Sequence, residues 1–208
     1  MMLLLLGCSH GTFTTASGSH PLETAFFLEV DDPDSPTMYV ILSTSYLGSC
    51  QRADLRDDPD EALEELFFAL NREGSRVALL ELNRYGTDTW EGLLPLADET
   101  FQPNQLSGQS PFIAQGSFLE VHEARVDRDE GLDRSYVITD ATYVAEVAAP
   151  GQVSISRWTP DEMLSGALAF DALDASATFR AKPCDATYED SILPTLESLS
   201  LLAEEEES

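Results

Sequence analysis

Ala175-Ser176-Ala177-Thr178-Phe179-Arg180-Ala181 decides the fold class. Apolar and polar residues alternate without a break, which is the period of a strand with one buried and one wet face. Working back from it, Leu164 to Phe170, Val153 to Trp158, Tyr136 to Val147 and Phe118 to Val126 also read as strands. Their separators carry turn chemistry: Asp171 to Asp174, Thr159-Pro160-Asp161, Pro150-Gly151 and Asp127 to Arg134. In Phe118 to Val126 the apolar phase slips around His122-Glu123, and a bulge is the simplest cause.

The first half supplies fewer strands. Thr24 to Val30 and Met38 to Ser43 are β-rich runs joined by Asp31-Asp32-Pro33-Asp34-Ser35-Pro36, a stretch that forbids helix and reads as the turn of a hairpin. Val77 to Leu82 is a further strand, and Trp90 to Pro111 is proline-punctuated and irregular. One helix is expected, over 58–73. Asp58 caps it, Pro59 fits its first position, and Glu61 completes a D-x-x-E capping box. Leu63, Leu66, Phe67 and Leu70 share one face, and Gly74 suits the C-terminal cap. The expected fold is therefore mainly β, an antiparallel β-sandwich or barrel-like body with one packed α-helix.

The chain has 208 residues, enough for one domain with an ample core, and no apolar run approaches the roughly 20 residues of a membrane-spanning helix. Thirty-eight acidic residues against eleven basic give a net charge of −27. Nucleic acid is excluded as a partner, because its binding depends on cations neutralising phosphates. On a folded surface of roughly 9,500 Å² the net charge is spaced at about 19 Å, so self-repulsion matters mainly in dilute salt.

Leu5-Leu6-Gly7-Cys8 resembles the lipobox of bacterial lipoproteins. The resemblance implies cleavage before Cys8 and lipid on its thiol. No basic residue precedes it, whereas a signal peptide carries a basic n-region, so another exported form and a cytosolic chain with an apolar start stay open. On this reading 1–7 is a signal-peptide remnant, 8–22 a lipid anchor with a flexible Ser/Thr/Gly linker, 23–203 a single β-rich domain and 204–208 an acidic tail. Gly7-Cys8-Ser9-His10-Gly11 also matches the G-x-S-x-G elbow of α/β-hydrolases, but that motif needs a strand before it and a helix after it.

The succession Gly151-Gln152-Val153-Ser154-Ile155-Ser156, Leu164-Ser165-Gly166 to Phe170, and Ala177-Thr178-Phe179-Arg180-Ala181-Lys182-Pro183-Cys184 resembles the closing strands of uncharacterised exported lipoproteins of Gram-negative bacteria. Where a glycine usually opens the final strand in that group, this chain has Asp174-Ala175. The resemblance implies an architecture and an envelope location, and it carries no catalytic residue over to this chain.

Those residues are few. With Cys8 assigned to lipid, Cys50 and Cys184 remain as an even pair: a disulfide in an exported chain, or two buried thiols otherwise. Asp127, Asp129, Glu130 and Asp133 form a carboxylate-rich hairpin loop, the calcium candidate against a solvated turn, and no other cofactor is expected. His122 could pair with Glu123 or Asp140 as an acid/base, or be structural. Trp90 and Trp158, with Tyr85 and Phe101, make a ligand patch or core. No catalytic residue is assigned. The expected protein is a monomer, tied to the bacterial envelope, most simply the outer membrane, through lipid on Cys8, and serving as a binding, adhesion or structural module toward a protein or glycan. The alternative is a secreted hydrolase-type enzyme.

Overall fold

The computed structural model describes residues 10–30, 36–47, 50, 75–84, 88–96, 112–128, 136–147, 151–171, 174–187, 191 and 193. These residues form eleven strands, with no helical element among them. The helix expected over 58–73 lies outside the described residues.

The hairpin read around Asp31 to Pro36 is present as β3 (Thr24–Val30) and β4 (Thr37–Ser43), in antiparallel register with Phe27 opposite Val40. β5 (Ser75–Arg84) lies antiparallel to β4, and β7 (Phe112–Arg128) lies antiparallel to β5. β8 (Tyr136–Val147) pairs with β7, and the ladder shifts register between Val121 and Glu123, which places the expected bulge at His122. β9 (Gly151–Thr159), β10 (Met163–Phe170) and β11 (Ala175–Pro183) form an antiparallel meander.

Two features correct the sequence reading of the sheet. β6 (Gly92–Leu96) is a strand inside the stretch expected to be irregular, antiparallel to β9 and meeting β7 in parallel at Leu96 and Ala114. β11 meets β3 in parallel through Lys182 opposite Phe26 and Pro183 opposite Phe27. The sheet is therefore mixed, not purely antiparallel. Its strand order β10-β9-β6-β7-β5-β4-β3-β11 returns to β10, because β10 also pairs with β11. The result is one curled sheet whose concave side takes the place that a second facing sheet holds in a sandwich.

A third correction concerns the amino terminus. The stretch read as a flexible linker contains β1 (Gly11–Thr15) and β2 (Gly18–Pro21), a hairpin whose first strand pairs with β11. The sheet thus begins at Gly11, ahead of the expected boundary at Glu23. Phe13 is the reason: it is wholly buried in the core, and burying such a side chain contributes about 2 kcal/mol, enough to dock a hairpin otherwise made of small polar residues.

Alternation sorts the strands as the sequence indicated. Ala175, Ala177, Phe179 and Ala181 are buried, while Ser176, Thr178, Arg180 and Lys182 are exposed. The inward residues join Phe27, Val40, Leu80, Leu94, Val153 and Leu168 in one core cluster. Gly166 is required by that packing, since a Cβ there would overlap the Ser154 carbonyl oxygen and crowd the ring of Phe179. A second apolar set, Leu28, Ile41, Val77 and Leu79, belongs to β3, β4 and β5 but not to this cluster, and it is buried as well.

Candidate functional site

The disulfide forms between Cys50 and Cys184, with Cα atoms 5.6 Å apart. Local structure delivers both ends. On one side, buried hydroxyls fix the chain leaving β4: Thr24 Oγ1 donates to the Ser45 carbonyl at 2.9 Å and accepts from Leu47 N at 3.0 Å, while Ser45 and Ser75 share a 2.7 Å hydroxyl contact. On the other, Cys184 N donates to the Phe27 carbonyl at 2.7 Å, extending the β3–β11 junction by one residue. The cross-link therefore sits where a narrow two-pair parallel seam most needs support.

Beside it lies a recess of about 440 Å³, between the edge of β3, the β9–β10 turn and the segment after β11. Glu29, Asp161 and Asp185 bring three carboxylate residues to its lining, beside Phe27 and Leu28 of β3. Asp161 adopts φ 55° behind Pro160, and Glu162 N bonds the Thr159 carbonyl at 3.1 Å, the demands of a tight turn with a left-handed third residue. Chemically, the recess suits a cationic group. No set of three metal-ligating side chains occurs among the described residues.

At the same end of the sheet, Glu29 accepts a hydrogen bond from Trp90 Nε1. Trp90 is core, and Trp158 packs partly buried against the core cluster, so the aromatic pair belongs to the interior. Between them lies a residue that sequence reading did not single out. The Arg84 guanidinium stands 4.8 Å from the Trp90 ring centroid and 5.9 Å from that of Trp158, within reach of a cation–π interaction with each. Arg84 Nε and Nη1 and Trp158 Nε1 are buried without a hydrogen-bond acceptor among the described residues. Glu91 is occupied, accepting from Trp158 N at 3.1 Å.

The remaining candidates are not assembled into a site. Asp127, expected in a loop, is a residue of β7 paired with Val137, because β7 continues to Arg128. Asp129, Glu130 and Asp133 lie outside the described residues, as do Cys8, Tyr85 and Phe101. His122 falls at the bulge, Glu123 pairs with Thr142 and Asp140 with Arg125 in the β7–β8 ladder.

No family model, no curated protein and no solved structure matches the chain.

Proposed function

We propose that the protein is a lipid-anchored component of the bacterial envelope, held at a membrane through Cys8, whose β body serves as a binding, adhesion or structural module. The observation that carries this reading is Leu5-Leu6-Gly7-Cys8. The Cys50–Cys184 bond supports it, since stable disulfides form in oxidising compartments such as the periplasm and the cell surface. Two or more acyl chains give lasting attachment, which lets an acidic body stay at a surface that its own charge avoids. Incorporation of labelled palmitate into the product of the full gene tests the anchor: wild type takes up label and Cys8→Ser does not, and equal uptake by the two overturns the reading.

The finer architecture follows the same course. We propose that the 58–73 segment forms a helix lying on the outer side of β3, β4 and β5. Leu28, Ile41, Val77 and Leu79 support it, being buried outside the main core. The stripe Leu63, Leu66, Phe67 and Leu70 supplies the apolar face that such a position requires.

A further inference from the structure

Among the described side chains, the exposed cations of the sheet lie together on β9 and β11. Alternation along β11 turns Arg180 and Lys182 outward, and both are exposed. Ser165 of β10 pairs with Arg180 on one side and with Arg157 of β9 on the other, so the two arginines flank one serine in a single cross-strand row. Arg157 is exposed as well. The row continues past β11, where Arg180 N donates to the His10 carbonyl at 2.7 Å, one residue beyond the pairing of Gly11 with Phe179. Strands lie about 4.8 Å apart, so Arg157, Ser165, Arg180 and His10 span about 15 Å, with Lys182 about 7 Å from Arg180 along β11. Among the described residues, none of these three cations makes an ion pair or a side-chain hydrogen bond. That is unusual company for a chain with thirty-eight acidic residues and only eleven basic ones. Of the nearby carboxylates, Asp161 and Glu162 sit in the turn beyond Met163, and that of Glu91, next to Arg157, is taken up by the N–H of Trp158 at 3.1 Å.

Position gives this patch a partner. Cys8 is two residues from His10, and two residues span at most about 7 Å. Because residues 11–21 are a sheet hairpin and not a tether, a lipid on Cys8 would enter the membrane within about 7 Å of His10, at one end of the Arg180 row. At physiological salt, charges act over about 8 Å, so a cation senses the bilayer only when the face that carries it lies against the membrane. We propose that Arg157, Arg180 and Lys182 form a membrane-facing surface that binds the phosphates of anionic phospholipids and sets the orientation of the anchored body. This rests on the lipid anchor proposed above. Each cation near an anionic surface strengthens binding by about fivefold, so the three together act on the order of a hundredfold.

Lys182 is the only lysine in the chain, which makes it a reporter of its own environment. The lipidated full-length protein is reconstituted into neutral phosphatidylcholine vesicles or into vesicles containing about one third phosphatidylglycerol, and acylation of Lys182 by an amine-reactive ester is timed by mass spectrometry. The expected result is acylation at least threefold slower on the anionic vesicles, with the difference abolished by 0.5 M NaCl and by Arg157→Glu/Arg180→Glu. Both substitutions lie at exposed positions, and an unchanged melting temperature verifies the fold. Equal rates on both vesicles, with palmitate present on Cys8, overturn the surface and leave the anchor standing. Slow acylation on both, pointing to contact with another copy of the chain or with lipid irrespective of charge, overturns it too. Absence of palmitate removes the anchor, and the proposed surface with it.

Discussion

The backbone N–H of Arg180 donates to the carbonyl of His10, joining the last strand of the sheet to the residue just ahead of its first. Gly11 makes that approach possible. It sits at φ 129°, and a Cβ there would overlap the carbonyl oxygen of Thr178. Gly18 sits at φ 133° with open space around it. Gly11→Ala should therefore cost about 3 kcal/mol or more by forcing β1 off β11, while Gly18→Ala costs about 1 kcal/mol from backbone strain alone. Urea unfolding of the two variants checks this, and equal losses would show that the clash is relieved without cost.

The disulfide closes a loop of 134 residues, for which the chain-entropy relation gives a stabilisation of at most about 5 kcal/mol. Cys184→Ser should lower the melting temperature by on the order of 10 °C. Cys50→Ser/Cys184→Ser should melt with either single variant, since one bond is lost in all three. Free alkylation of both thiols in native protein taken from the envelope would contradict the bond itself.

Asp174 occupies the left-handed region at φ 46° immediately before β11. A glycine adopts that conformation without the penalty of about 1 kcal/mol that a side chain brings, against a comparable entropic cost in the unfolded chain. Asp174→Gly should leave stability unchanged or raise it by up to about 1 kcal/mol, and Asp174→Val should lower it by about 2 kcal/mol because a β-branched residue resists positive φ. Thermal melts decide, and a Val variant as stable as wild type would contradict the argument.

Arg84 contributes attraction to two indole rings but leaves two buried donors without acceptors. Removing both the charge and the orphaned donors should nearly cancel, so Arg84→Met is expected within about 1 kcal/mol of wild type. Trp90→Ala, by contrast, empties a fully buried site and should cost about 3–5 kcal/mol. A loss above 2 kcal/mol for Arg84→Met in urea unfolding would show that the stacked cation outweighs its unmet hydrogen bonds.

A net charge of −27 leaves repulsion unscreened at 0.01 M ionic strength, where the Debye length is about 30 Å, and little of it at 0.5 M. The melting temperature should rise between those limits, with most of the gain below about 0.2 M. Calcium at 5 mM compared with magnesium at equal ionic strength isolates a specific site at Asp127 to Asp133, because specific binding adds stability that screening does not. Melting curves unmoved by NaCl would contradict the repulsion argument.

Strands with their partners nearby were legible in the sequence. The period of two in Ala175 to Ala181, the β3–β4 pairing on either side of Asp31 to Pro36, and the phase slip at His122 were each readable locally. The same holds for the cysteine pair, which needed only counting. What stayed hidden depends on distant partners. Gly11-Thr12-Phe13-Thr14-Thr15 has the composition of a tether, and only the burial of Phe13 beneath β11 makes it a strand. Gly92-Leu93-Leu94-Pro95-Leu96 contains a proline that argues against a central strand, yet it pairs with β9 more than fifty residues later. Arg84 between Trp90 and Trp158, and the row of Arg157, Ser165 and Arg180, arise from registers that no local pattern encodes.

The seam between β3 and β11 sets a schedule for synthesis. Phe26 and Phe27 are made early, and their partners Lys182 and Pro183 follow more than 150 residues later. At about 5–20 residues per second the ribosome needs about 10–30 s to deliver them. Throughout that interval the edge of β3 offers unpaired N–H and C=O groups beside two aromatic rings, a template for mispairing with any other extended chain. The nascent protein is thus open to mispairing at residues 26 and 27 until residue 183 arrives.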